Sequence, residues 1–453
     1  MTTLRTTHLA AALTLSLVAA ATACSGDPAP AQQPVPGGGS GGAGATAGSG
    51  AGGTGGAASG GTPSSGGSAG TPAAGSAGDT SVAGTAGSAG AAGSGGSGGG
   101  TNPGPNSMTI TLDTTAAGAN VPEAVTNYPL AIQLDATNFN FAQAGAMGED
   151  VTFEKADGTL LPHSIEHWDA TSMTAALWVK VDSIAGNTAD QQIVMRWGTP
   201  GATSTADSKA VFSLADGFYG VWHLDEDGNT TAGGFKDASE HEVHGTGVGM
   251  IAGSRVAARV GMGAHLDNPE GQDTARWIKV DGEKTAEFNS NNVLTASVWA
   301  LAYSYPIYSY ETIFCKGDTS WSIQRVQYDT NGYQSCLLAG GQPGYHLCIY
   351  DFAAQPLVTE EWLHFMLVLE DPNMTLYING ELNAEGSGGG WNQGTHDLGI
   401  GNQTQLLGAR RQWDGIIDEP RVMQVARSAS WAKLDYESQR EGQTLITYGP
   451  AAL

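Results

Sequence analysis

From residue 108 onward the chain is written in short runs of alternating apolar and polar residues. Ile110 and Leu112 alternate with Thr109 and Thr111; Leu130, Ile132 and Leu134 follow Pro129; Val151 and Phe153 come next. Leu177, Val179 and Val181, and then Ile193, Met195 and Trp197, repeat the period of two. Turn signals at Asp157-Gly158, Asp169-Ala170 and Gly186-Asn187 separate the runs, so short β-strands are predicted throughout. The most informative stretch lies between Trp362 and Leu382. There Leu363, Phe365, Leu367 and Leu369 fall on one side, and His364, Met366 and Val368 on the other. A strand apolar on both faces belongs inside a sandwich. Asp371-Pro372-Asn373 supplies a turn, and Met374, Leu376 and Ile378 alternate with Thr375 and Tyr377. Asn379-Gly380 then offers the two positive-φ positions of a type I′ hairpin.

The first hundred residues follow another rule. Arg5 and the apolar run from Leu9 form a secretory signal over residues 1–23, too short to span a membrane. It ends Ala21-Thr22-Ala23-Cys24-Ser25, which resembles a bacterial lipobox; that resemblance implies lipidation of Cys24 and an anchor of acyl chains. Ser25 in place of the Asp that retains many lipoproteins at the inner membrane points to the outer membrane or cell surface. The tract 24–107 is almost wholly Gly, Ala, Ser, Thr and Pro, and Asp27 and Asp79 are its only charges. Such a segment cannot bury enough apolar surface to offset its chain entropy, and a disordered tether is predicted, spanning on the order of 50 Å. Gly38-Gly39-Ser40-Gly41-Gly42 fits G-x-S-x-G, but no strand or helix flanks it, and it reads as low-complexity coincidence. The formal net charge of -25 argues against nucleic acid and acidic membrane surfaces as partners.

Asn127-Tyr128-Pro129, Leu161-Pro162, Ile165-Glu-His-Trp-Asp169, Leu177-Trp-Val-Lys-Val181 and Arg196-Trp197-Gly198 resemble, in order, a bacterial domain of unknown function found upstream of laminin-G-like domains. Downstream, Gly220-Val-Trp-His-Leu-Asp-Glu226, Lys236-Asp-Ala-Ser-Glu-His-Glu-Val-His-Gly245 and Val260-Gly-Met-Gly-Ala-His-Leu-Asp267 precede the central hairpin. Trp413-Asp-Gly-Ile-Ile-Asp-Glu-Pro-Arg-Val422 and a short helix capped by Ser428 or Ser430 follow it. This order resembles a laminin-G-like domain of the concanavalin A-like lectin/glucanase jelly rolls. The resemblance implies an all-β chain: a smaller β-sandwich at 108–205, then a concanavalin A-like jelly-roll sandwich at 210–450.

Candidate chemistry is sparse. Glu166, His167 and Asp169 invite an acid/base reading, but Glu166 and His167 should point to opposite faces of a strand, favouring a structural or solvated role. His241 and His244 lack a third ligand for zinc. The resemblance implies one structural Ca²⁺ where first and last strands meet, with Asp267 and Asp418 in the matching motifs; Asp418 could instead pair with Arg421. Loop aromatics, with Tyr308, Trp321 and Trp391 foremost among a series that includes Tyr303, Tyr305 and Tyr310, offer faces on which sugar rings stack. The paired-carboxylate pattern of the fold's glucanases is missing. A non-catalytic glycan-binding or adhesion module is therefore expected, its partner a glycan or a cell-surface or extracellular protein. A carbohydrate-active enzyme (glycoside hydrolase or lyase) and a structural protein binding an envelope partner are the alternatives.

Export places Cys315, Cys336 and Cys348 in an oxidising compartment. A hairpin centred on Gln342 would set Cys336 opposite Cys348 within disulfide range, leaving Cys315 as a buried thiol. A bridge from Cys315 to either hairpin cysteine is the rival arrangement.

Overall fold

The computed structural model describes residues 105–228, 230–269, 275–289, 292–305, 310–317, 320–327, 331–338, 346–351, 358–387, 395–404 and 411–451. The signal segment, Cys24 and the tether up to 104 lie outside the described residues. The chain is all-β, with four sheets and, of helices longer than one turn, Ala429–Gln439 among the described residues.

The smaller sandwich stacks a three-stranded sheet against a five-stranded one. The first runs Val125–Asp135, Thr174–Ile184, His163–Asp169; the second runs Ile446–Tyr448, Asn106–Leu112, Gln191–Trp197, Thr152–Lys155, Leu160–Leu161. Alternation here is the predicted one: Met108, Ile110 and Leu112 are buried and the residues between them are not. The larger sandwich faces an eight-stranded sheet (Arg255–Ala257, Met262–Leu266, Gly415–Met423, Val293–Ala302, Trp362–Glu370, Asn373–Ile378, Glu381–Ser387, with Phe218–Val221 also on Gly415–Met423) with a seven-stranded one. The latter runs His346–Asp351, Asn331–Leu338, Trp321–Gln327, Tyr310–Cys315, Leu398–Ile400, Trp277–Val280, Gly245–Val248.

The two-faced strand explains how these parts join. Leu363, Phe365, Leu367 and Leu369 enter the core between the eight- and seven-stranded sheets. Met366 and Val368, on the other face, enter the core of the smaller sandwich, together with Met423 and the helix residues Trp431, Ala432 and Leu434. The eight-stranded sheet is thus buried on both sides, one by its own jelly roll and one by the helix and the first domain. Val293–Ala302 and Gly415–Met423 are buried almost throughout for the same reason.

The end of the chain strengthens that join. Ser428 caps the helix by accepting from the Trp431 N–H, whereas the Ser430 hydroxyl accepts from the Glu123 N–H of the first domain. Ile446–Tyr448, which the sequence reading placed in the 210–450 domain, pairs instead with Asn106–Leu112 and completes the first domain's sheet. At the central hairpin, Asn379 (φ 53°) and Gly380 (φ 74°) take the expected left-handed conformations, and the Asp371-Pro372 bond is cis.

Candidate functional site

Two carboxylates reach the seam between the sandwiches because their strands bulge. On His163–Asp169 the pairing with Thr174–Ile184 slips between Ile165 and His167, leaving Glu166 as the extra residue. On Gly415–Met423 it slips where Ser297 faces Arg421 and Trp299 faces Asp418, leaving Glu419 and Pro420 in the bulge. Glu419 takes φ 52° there, and Leu224, next to His223, takes 61°; both are conformations that non-glycine residues seldom adopt.

These departures bring Glu166 together with His223 and Glu419. His223 Nδ1 lies 2.6 Å from Glu419 Oε1 and 3.4 Å from Glu166 Oε2. The Trp178 indole N–H donates to Glu166 Oε2 at 2.7 Å. Arg421 donates to Glu419 Oε2 through Nη2 (2.6 Å) and Nε (3.1 Å), and its Nη1 reaches Asp435 at 3.4 Å. Asp435, on the helix, also faces His364 Nε2 at 3.2 Å and takes the Gln439 amide at 2.7 Å. The Tyr128 hydroxyl, from the first domain, sits between Asp435 and Ser438. First domain, second domain and closing helix therefore meet in one buried polar network.

Burial, then the nearby charges of Glu419 and Asp418, push the Glu166 carboxyl well above the usual range, and burial and Glu419 do the same to Asp418. Burial would also raise Glu419, but His223 and Arg421 hold it below its ordinary value. Burial opposes, while the His364 bond and Arg421 hold, a lowered Asp435. The Glu166 and Glu419 side chains are 0% and 1% exposed, so this cluster is closed to a sugar chain. Among the described residues it is the one group of His, Cys, Asp or Glu whose ligand atoms converge as a metal would require.

The residues singled out from sequence fare differently. Trp321 is a correction: it is 1% exposed, packed edge-on to Phe314 at 5.1 Å in the jelly-roll core, and presents no face to a ligand. Tyr308, Trp391 and Cys24 lie outside the described residues. Asp267 and Asp418 do not converge on an ion. Asp418 sits beside Gly263, given Ala264 opposite Ile417, and from Gly263 to Asp267 a strand advances roughly 13 Å at about 3.3 Å per residue. Asp267 pairs with Arg276; Asp418 accepts from the Val260 N–H, and Arg421 turns to Glu419 instead. His241 Nδ1 lies 3.1 Å from the Tyr219 carbonyl, and His244 Nδ1 accepts from the Asp237 N–H. Cys336 and Cys348 are directly opposed on neighbouring strands, while Cys315 is buried with its thiol 3.6 Å from the Asn402 carbonyl.

Of the aromatic series, Tyr303 is 43% exposed and meets the His265 ring edge-on at 5.1 Å. Tyr305 donates its hydroxyl to the Val358 carbonyl at 2.6 Å and lies under the Arg325 guanidinium. Tyr310 lies under that of Arg411. Beside Tyr303, Ser304 donates to Asp414, which also accepts from the Asn268 N–H. Asp414 is thus buried with both oxygens engaged, and the Tyr303 ring beside His265 is the exposed part of this surface.

No curated protein matches the chain. Among solved structures, it is similar to Domain 4 of AbnA, a GH43 extracellular arabinanase from Geobacillus stearothermophilus, in complex with arabinotriose. Identity is 19% over 49% of this chain and 98% of that one, with a TM-score of 0.35. The binding domain of Paraclostridial Mosquitocidal Protein 1 is 16% identical over 48% of this chain and 52% of that one, with a TM-score of 0.36. The binding domain of botulinum neurotoxin serotype D is 13% identical over 49% and 52%, also at 0.36. Residues 147–240 match a domain of unknown function, DUF2341, a span that crosses the join between the two sandwiches. Residues 272–433 match the concanavalin A-like lectin/glucanases superfamily, so the chain carries a domain of that superfamily preceded by a domain of unknown function.

Proposed function

We propose that this chain is an exported envelope lipoprotein whose concanavalin A-like domain binds a glycan, or a glycan-bearing surface protein, without cleaving it. Cys24 takes the acyl anchor and the tract to 104 lifts the folded body from the membrane, a reading that rests on the lipobox and the composition behind it. The observation that carries the binding reading is Tyr303, an exposed ring on a domain of lectin kinship, with His265 and Asp414 beside it. The acids that the fold gathers are occupied in the seam with Trp178, His223 and Arg421, which supports binding over hydrolysis.

A glycan array probed with the full chain, run beside a reducing-sugar release assay on every glycan retained, tests this. Retention without release is expected, with Tyr303→Ala weakening it. Release of new reducing ends would make the protein a carbohydrate-active enzyme, and binding to no glycan would leave a protein partner. Membrane fractionation tests the anchor: Cys24→Ser should move the chain to the soluble fraction.

A further inference from the structure

We propose that Glu166, His223 and Glu419 together bind one divalent transition-metal ion, zinc in the first instance, that cross-links the smaller sandwich to the jelly roll. Their three ligand atoms all lie within 4.8 Å of one another. Ligands about 2.0–2.2 Å from an ion stand roughly 3–4 Å apart, so side-chain adjustments of up to about an ångström complete the site. The ligands come from three separate places: the bulge of His163–Asp169, the segment just after Phe218–Val221, and the bulge of Gly415–Met423. An ion held there ties both domains together through side chains that are already in place.

A second observation points the same way. Glu166, its side chain 0% exposed, keeps Oε1 without a hydrogen-bond partner beside the Oε2 that faces His223. A carboxylate oxygen so buried is costly unless a donor or a cation meets it. Asp418 Oδ1, also fully buried, is in the same condition. Gly261 brings backbone against Glu166: a Cβ there would lie 2.5 Å from Oε1.

The outer partners of such a site are present. Trp178 Nε1 holds Glu166 Oε2, and Arg421 holds Glu419 Oε2, leaving Oε1 toward His223. Metal-ligating carboxylates are commonly fixed in this way. One imidazole nitrogen with two carboxylates suits zinc, manganese or iron(II) better than calcium or magnesium, which take oxygen alone. On binding, the ion takes the place of the hydrogen between His223 Nδ1 and Glu419 Oε1; in a neutral ring that hydrogen is carried on Nε2 instead, and an imidazolium releases it as a proton.

The test uses the full chain in detergent, stripped with EDTA, dialysed and titrated with Zn²⁺ in a calorimeter. One ion per chain is expected, with a melting temperature several degrees above that of the stripped protein. Glu166→Gln, which keeps an oxygen for Trp178, should weaken binding at least tenfold, whereas His244→Ala should leave it unchanged. Zinc-edge X-ray absorption on the wild type needs no variant and should show nitrogen and oxygen ligands only. A sulfur shell, an unaltered isotherm in Glu166→Gln, or no tight site at all would overturn the proposal.

Discussion

The guanidinium of Arg421, on the jelly roll's Gly415–Met423 strand, lies 4.1 Å from the ring centroid of Trp178, on the smaller sandwich. Arg421 is 2% exposed, and its hydrogen bonds run to Glu419 on its own strand and Asp435 on the closing helix. One side chain thus touches both domains and the helix between them. Arg421→Ala removes the guanidinium and leaves two buried acids facing each other. A loss of about 3–5 kcal/mol is expected, read by chemical denaturation of the full chain; Arg421→Met, which keeps the stem over Trp178, should differ little from Arg421→Ala if charge rather than packing dominates.

His163 gives a pH dependence with a definite sign. It is buried against Phe153, and burial lowers its pKa from 6.5 to about 4. Between those values the unfolded chain binds a proton that the folded chain refuses, so stability falls as the pH drops from about 6.5 to about 4. The full effect is about 3 kcal/mol. In paired melts of wild type and His163→Phe across that window, the difference between them should shrink or reverse toward the acid end; parallel curves would show that His163 does not titrate in this way.

Trp321 and Tyr303 should part company. Trp321→Ala empties part of the jelly-roll core and is expected to cost about 3–5 kcal/mol. Tyr303→Ala, at an exposed position, should stay within about 0.5 kcal/mol while reducing glycan retention. Thermal melts with array binding on the same preparations separate the two effects.

The opposed positions of Cys336 and Cys348 lead us to propose a disulfide between them in the exported protein. Non-reducing peptide mapping should recover those two peptides linked and Cys315 alkylated. Reduction should lower stability by about 3 kcal/mol; a linked peptide containing Cys315 would reject this pairing.

Period-two alternation was enough to read the strands, because a pleated chain with one buried face has to alternate. The two apolar faces of Trp362–Glu370 were also legible, but not what lies against them: Met366 and Val368 meet a helix and a domain far away in sequence. The seam network was hidden for a related reason. Glu166 and Glu419 reach it through bulges, where one strand gains a residue over its neighbour, and no single-strand pattern reveals such a slip. One signal was available. Asp418-Glu-Pro-Arg421 is a charged run inside a strand otherwise apolar on both faces, and charges so placed require buried partners. Trp321 misled in the opposite direction, since density of aromatics along the sequence does not distinguish a rim from a core.

If the jelly roll's eight-stranded sheet is buried on its second face by the helix and the first domain, the two sandwiches cannot unfold independently. Differential scanning calorimetry of the full chain tests this directly. The expected result is a single transition with equal calorimetric and van't Hoff enthalpies, moved to lower temperature as one peak by Arg421→Ala. Two resolved transitions, with only one of them shifted by that substitution, would contradict it.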